Sequence, residues 1–333
     1  MPTLQGRDGQ WELPHFDLWK DRQEGIRAER VPLIGPKTRL ATIGSCFAEE
    51  IAAVIDRLGL NGAMNPTGRV YHTSTVRQEI ERVFGGWPEY RSEPLWKTNG
   101  GFVHPFKNPH KVFATEDALR AWSDDLDRAA DELFQSADVV IITLGLIEGW
   151  KQPANGNFYR HLPHHDVFES LGAKFHRLTV AEMLDDLRRI RAVLREHTAA
   201  RIILTVSPIP LSATMTRLDI RIANTESKSR IRAAVSQFVE SFPDVHYFHS
   251  YEIVTMADSL GDFMKKDGRH LHRHAVEYIV GQFLRTYATD EIAAADVIPS
   301  SQRRGIAARA GRSSLKSAIA SGLRRVLPLK KAS

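Results

Sequence analysis

The stretch Arg39-Leu-Ala-Thr-Ile-Gly-Ser-Cys-Phe-Ala48 sets two nucleophile-capable residues, Ser45 and Cys46, directly after a glycine. A short apolar run precedes Gly44, and residues 47–58 have the pattern of an amphipathic helix. A strand that turns into a helix through glycine aims the new helix's unpaired N–H groups at the turn. Those groups and the helix dipole favour a thiolate, or an oxyanion forming on a substrate carbonyl. Cys46 is the only cysteine in 333 residues. A lone cysteine often serves as small apolar filler, but this junction makes Cys46 a candidate nucleophile, with Ser45 the alternative. Far downstream, Asp267-Gly-Arg-His270 sets a carboxylate three residues from an imidazole. Such a carboxylate fixes the tautomer of a histidine that takes the nucleophile's proton. The chemistry in view is acyl transfer or ester cleavage through a covalent intermediate.

These groups need a scaffold that brings residues 46 and 270 to one edge. Residues 40–43, 139–144, 202–206 and 245–248 are short, apolar and rich in β-formers, as strands buried on both faces are. Helical patterns lie between them at 73–83, 116–134, 180–194 and 228–239, and a last one at 274–287 closes the body. This alternation predicts a parallel sheet with helices on both sides. Two stretches, 85–112 and 152–177, lack periodicity; the second holds His161, His164 and His165. They read as lids or binding walls at the carboxyl ends of the strands. The chain divides into an irregular lead-in (1–31), a catalytic body (32–290) and a tail (291–333).

Composition narrows the class. With 42% hydrophobic residues the chain can bury one large core. One cysteine excludes an internal disulfide framework and fits a reducing compartment. Residues 1–19 hold no continuous apolar stretch, so no signal peptide is expected, and no run approaches the roughly 20 residues of a membrane span. A cytoplasmic protein is expected. The net charge of +5 belongs to the tail. Of the 45 basic residues nine lie in 300–333, where no acidic residue occurs; the other 36 face all 40 acidic residues, a net of −4. The body therefore carries no charge signature for nucleic acid. In the tail Leu315, Ile319, Leu323, Val326 and Leu327 fall on one helical face opposite basic residues. That pattern suits a solvated terminus, or a helix lying on an anionic membrane at its inner face.

Weaker signals are read structurally. His270, His272 and His274 lack the carboxylates or cysteines that would complete a ligand set, so no metal is expected. Thr205-Val-Ser-Pro-Ile-Pro210 ends a strand in a rigid turn, with Ser207 able to line a site. Ser227-Lys228-Ser229 reads as a helix start where serine caps, with a secondary substrate role for Lys228. Asn65-Pro-Thr-Gly68 is a turn sequence.

Gly44-Ser-Cys-Phe-Ala48 resembles the naming motif of the GSCFA family, within the wider SGNH/GDSL hydrolase-like group. Asn65-Pro-Thr-Gly68, Ile142-Thr-Leu-Gly145 with Glu148 and Trp150, Thr205-Val-Ser-Pro208, Ser227-Lys-Ser229, Ser250-Tyr-Glu252 and Asp267-Gly-Arg-His270 follow in the same order. The resemblance spans about 32–285 and implies a three-layer α/β/α, flavodoxin-like domain with a five-stranded parallel sheet. The group's Gly-Asp-Ser spacing puts Cys46 at the nucleophile position and Ser45 where Asp stands. Asp267 and His270 match its closing Asp-x-x-His. Its third block, Gly-x-Asn-Asp, is unmatched: the chain reads Gly145-Leu-Ile-Glu148, with Ile147 in place of the oxyanion-binding asparagine. The resemblance then leaves the backbone N–H of Cys46 or Ser45, with Asn65 or Gly68, to receive the oxyanion. Gly145, Glu148, Trp150 and the long loops would shape the substrate site.

An acyl-cysteine is a thioester and suits transfer; a serine suits hydrolysis. The expected partners are small-molecule or carbohydrate acyl donors and acceptors, including polysaccharide precursors. Acyl-CoA is a candidate co-substrate, and no other cofactor is expected. The missing asparagine also fits a second reading, a non-catalytic protein that binds a ligand in the same pocket.

Overall fold

Apolar residues on consecutive strand positions need cover on two sides, and the computed structural model supplies it. It describes residues 5–7, 10–12, 26, 28–108, 110–257 and 260–294; the basic tail and its apolar face lie outside them. After a hairpin of β1 (Gln5–Arg7) and β2 (Gln10–Glu12), β3 (Leu40–Gly44) runs into α1 (Cys46–Arg57), and β4 (Gly62–Met64) follows. Next come α2 (Thr73–Val83), a hairpin of β5 (Trp96–Thr98) and β6 (Gly101–Val103), and α3 (Glu116–Ser136), leading to β7 (Val139–Leu144). An antiparallel side unit holds β8 (Glu148–Lys151), β9 (Phe158–Tyr159), α4 (His165–Leu171) and β10 (Lys174–Arg177). Then follow α5 (Val180–His197), β11 (Arg201–Val206), α6 (Ile220–Ser241) and β12 (Val245–Phe248). Last come α7 (Ser250–Thr255), α8 (Leu260–Phe263), α9 (Arg273–Tyr287) and α10 (Asp290–Ala294).

The main sheet has the order β12-β11-β7-β3-β4, with every pairing parallel. Leu40, Val139, Ile141 and Ile203 face one side, where Phe47, Ile51 and Ile55 of α1 and Val276, Ile279 and Phe283 of α9 cover them. Ala41, Ile43, Val140, Ile142 and Leu204 face the other, under α2, α3, α5 and α6. This period-two division gives the two faces separate cores. The protein is thus a three-layer α/β/α domain with a five-stranded parallel sheet. No helix among the described residues is long and apolar enough to cross a membrane.

The chain leaves β3 to one side through α1 and β4, then crosses back to β7. That reversal falls at the carboxyl ends of β3 and β7, the usual ligand position in such sheets. Three expectations change. The stretches predicted to be irregular hold two small antiparallel sheets, whose strands of two to four residues are too short to show alternation. The fifth strand, β4, is a three-residue segment without a β-rich pattern. Helix α6 begins at Ile220, capped by Asp219, whose side chain accepts the Arg221 N–H at 2.9 Å. Ser227 and Lys228 are therefore interior helix residues, not a cap.

Gly44 makes the approach of β3 to β7 possible. Its φ is +142°, and a Cβ there would stand 2.1 Å from the Thr143 carbonyl oxygen. Gly44→Ala must both adopt a backbone conformation foreign to L-residues and push β7 away. It is expected to lower stability by about 3 kcal/mol, read as a reduced urea midpoint.

Candidate active site

Ser45 and Cys46 divide the work of the elbow. Ser45 is the N-cap of α1, extended at φ −71°, and its hydroxyl accepts the Phe47 N–H at 3.4 Å. Its own N–H donates to the Thr143 carbonyl at 3.1 Å and lies 3.0 Å from Thr143 Oγ1. The two hydroxyls are 3.3 Å apart. Ser45 is 3% exposed. Cys46, the first residue of α1, is half-buried and carries a free thiol. The N–H of a first helical residue has no intrahelical acceptor and is a ready oxyanion donor. The side chain reachable from outside is thus the thiol, while the serine hydroxyl holds the helix start to β7.

Burial pushes the Cys46 thiol above its ordinary value; Arg69 pulls it back down, Glu49 adds to the rise, and Lys228 and Arg269 pull down. The helix start alone does not leave the thiol ionised, contrary to the simplest reading of the elbow, because desolvation outweighs the surrounding cations. Arg69 is tied to Glu49 at 2.6 Å. Tyr71 beside it is raised chiefly by burial, and its backbone carbonyl receives the Gly145 and Leu146 N–H groups at 2.8 and 3.2 Å.

The Asp267–His270 pair forms in the turn before α9. Asp267 Oδ2 lies 2.7 Å from His270 Nδ1, and Oδ1 accepts the N–H groups of His270 (3.0 Å) and Arg269 (2.9 Å). These bonds hold the Asp267 carboxyl well below its ordinary range, the His270 N–H contributing most. They commit Nδ1 and leave Nε2 for another partner. Gly268, at φ +67°, closes the turn with its N–H on the Lys265 carbonyl at 2.9 Å. Phe263 and Leu271, which bracket this segment, belong to the cluster on which Cys46 packs. Arg269 is within electrostatic reach of the thiol. Among the described residues no hydrogen bond joins His270 to Cys46.

Other expected site residues have different duties. Asn65 spends its carboxamide on its own turn: Oδ1 accepts from the Thr67 N–H (3.2 Å) and hydroxyl (3.1 Å), and Nδ2 donates to the Gly68 carbonyl (3.4 Å). The Gly68 N–H is taken by the Asn65 carbonyl at 3.1 Å. The Gly68 N–H is therefore spent within the turn and is not the oxyanion donor expected of it, while Asn65 Nδ2 keeps its second N–H. Gly145 packs behind the elbow; a Cβ on it would lie 3.2 Å from Ser45 Cβ. Ile147 is buried, its N–H on Ser227 Oγ at 3.1 Å. Glu148 clamps the segment after β11, accepting from the Thr214 hydroxyl at 2.6 Å and the Met215 N–H at 3.0 Å. Trp150 packs edge-on against Phe168 inside the side unit. Of the three downstream histidines, His272 and His274 stack with ring centroids 5.2 Å apart, His274 Nε2 lies 2.7 Å from the Asp262 carbonyl oxygen, and His270 meets Asp267. Among the described residues the group whose spacing could hold a metal is His164, His165 and Asp166, at the start of α4. There Asp166 already accepts the Asn99 N–H at 2.7 Å.

Reading motifs in order gives Lys228 only a secondary substrate role at a helix start and does not show its burial. Its ammonium donates to the carbonyls of Gly145 (2.7 Å) and Ile209 (2.9 Å), behind the elbow. The only signal for it was its place in the ordered motif set.

The fold is that of an α/β/α protein with a half-buried thiol at a strand–helix turn and an Asp–His pair ahead of the last long helix. Residues 39–283 match the model of the GSCFA family, and the chain belongs to it. In fold it is distantly similar to a carbohydrate esterase family 2 enzyme with a carbohydrate binding domain from Corynascus thermopiles (Myceliophthora fergusii). That comparison gives 13% identity over 78% of this chain and 68% of the other, with a TM-score of 0.33. A lipase/acylhydrolase from Enterococcus faecalis gives 13% identity, 74% and 95% coverage, and a TM-score of 0.32. No curated protein matches the chain.

Removing the Ser45 hydroxyl separates cap from nucleophile. Ser45→Ala is expected to lose about 1 kcal/mol in urea unfolding while iodoacetamide still alkylates Cys46 in the folded protein. Unchanged stability would remove the capping role.

Proposed function

We propose that this GSCFA protein transfers or hydrolyses acyl esters through a thioester on Cys46. The observation that carries the reading is the division at the elbow: the serine is buried as a helix cap and the thiol is reachable from outside. Attack of the thiolate on a donor carbonyl would place the oxyanion at the N–H of Cys46, which has no intrahelical acceptor. His270, oriented by Asp267, would give a proton to the leaving group. It would then take one from the acceptor, water or a hydroxyl, that attacks the thioester. A thioester is energetic enough to acylate an alcohol, which favours transfer over simple cleavage.

The GSCFA and SGNH-like motif set supports acylated carbohydrate or a polysaccharide precursor as substrate, and acyl-CoA as one donor to test. Glu148 supports an acceptor wall, since its two hydrogen bonds hold the segment that carries exposed Met215.

Intact-protein mass spectrometry after brief exposure to p-nitrophenyl acetate or acetyl-CoA tests this reading. Wild type is expected to gain one acetyl group, Ser45→Ala to keep it and Cys46→Ala to lose it. His270→Ala is expected to turn over p-nitrophenyl acetate about 10²–10⁴-fold more slowly. An adduct that survives in Cys46→Ala would overturn the thiol assignment, and no adduct with either donor would favour the ligand-binding alternative.

A further inference from the structure

Among the described residues, every buried or half-buried arginine is paired with a carboxylate, with one exception. The exception is Arg269, half-buried in an otherwise exposed turn. Its Nε is buried and has no acceptor. Arg177 and Arg195 also bury a guanidinium nitrogen without an acceptor, yet each holds a carboxylate through another nitrogen, on Glu226 and Asp244. Arg269 holds none. A buried donor left unpaired costs free energy, so it marks a place where a partner is missing. The backbone beneath this side chain is fixed. The Arg269 N–H donates to Asp267 Oδ1 at 2.9 Å, the Gly268 N–H to the Lys265 carbonyl at 2.9 Å and the Lys265 N–H to the His270 carbonyl at 2.7 Å. Lys265 and Lys266, in the same turn, are exposed and hold no carboxylate among the described residues. Asp267 is the one acidic residue in 263–272, and its carboxylate is spent on the His270 ring and on two backbone N–H groups.

We propose that Arg269 binds the phosphate of a phosphorylated substrate and thereby selects which substrates reach the Asp267–His270 turn. A guanidinium offers two parallel N–H bonds along its Nε edge, the geometry that pairs with two oxygens of one phosphate or carboxylate. Nε is the nitrogen left unpaired here. Charge favours phosphate over carboxylate. Lys265 and Lys266 stand beside Arg269, and three cations match a group with two or more negative charges. Place decides the role. Arg269 directly precedes His270, so an anion on its side chain is held next to the imidazole that serves the leaving group and the acceptor. Phe263 and Leu271, which bracket the turn, share a core cluster with Cys46. Arg69, at the other side of the thiol, is already paired with Glu49 at 2.6 Å. Two kinds of substrate carry the required group: an acyl-coenzyme A donor, and an acceptor sugar that bears a phosphate or a nucleoside diphosphate. The inference rests on the reading of Asp267 and His270 as the pair that serves Cys46, and it adds the chemical class of what that pair receives.

The His270 Cε1–H resonance reports this turn itself rather than the basic residues of 300–333, and its loss in His270→Gln identifies it. In full-length protein at constant pH and ionic strength, inorganic pyrophosphate is expected to shift that resonance to saturation. Arg269→Gln keeps the backbone N–H on Asp267 and is expected to need about tenfold more pyrophosphate for the same shift. Equal titrations in the two proteins would overturn the proposal, as would a shift that acetate reproduces at the same concentration. Coenzyme A and UDP-glucose, titrated in the same way, separate the two sources. Saturation at lower coenzyme A assigns the phosphate to the donor, and saturation at lower UDP-glucose assigns it to the acceptor. Saturation by neither would overturn the substrate role. These titrations use no acyl ester, so failure to form an acyl adduct counts against the acyl-enzyme reading alone.

Discussion

The site depends on one contact, the close approach of Gly44 to the Thr143 carbonyl. A side chain at Gly44 would collide with β7. Without one, the chain turns at positive φ, and the Ser45 N–H reaches Thr143. Ser45 then caps α1, and Cys46 becomes the first helical residue at the carboxyl end of β3. Strand order reverses there, the usual ligand position in such sheets. Helix α9 packs against α1 on the same face of the sheet, and the Asp267–His270 turn precedes it in the chain.

Around sulfur, burial and charge oppose each other. Desolvation holds the thiol protonated, and three cationic side chains work against it. Arg69 is largely spent on Glu49, and Arg269 sits in a half-exposed turn where water screens it. Lys228 is the cation that lies in a dry environment, where Coulombic effects reach furthest. Its position follows from α6 running past the end of β7, where the Gly145 carbonyl has no strand partner and Nζ supplies the bond.

How much of this could be read from residues alone depended on length and locality. Helix α2 and strands β7 and β12 have the predicted bounds, because each is a periodic or continuous apolar segment flanked by polar residues. The Asp267–His270 pair was visible because its geometry is local, three residues across a glycine turn. Strand β4 was hidden by being three residues long, and the first two turns of α6 by exposed Ile220 and Ile222, which blur its apolar face. The oxyanion assignments of Asn65 and Gly68 rest on motif position, and local hydrogen bonds within four residues take the Gly68 N–H and one of the two Asn65 side-chain N–H groups. Lys228 reads as part of a helix start with a secondary substrate role, whereas α6 begins two turns earlier and its interior points Lys228 at the end of β7.

The replacement of asparagine by Ile147 changes what the end of β7 can offer the elbow. The Ile147 side chain carries no donor, its N–H is held by Ser227 Oγ at 3.1 Å, and the Gly145 and Leu146 N–H groups are held by the Tyr71 carbonyl at 2.8 and 3.2 Å. The segment after β7 therefore packs behind the elbow with its backbone donors already spent, whereas the N–H of Cys46, the first residue of α1, has no intrahelical acceptor. A thiol is a far stronger acid than a hydroxyl, so of the two side chains at this turn the one at position 46 asks less of a neighbouring base.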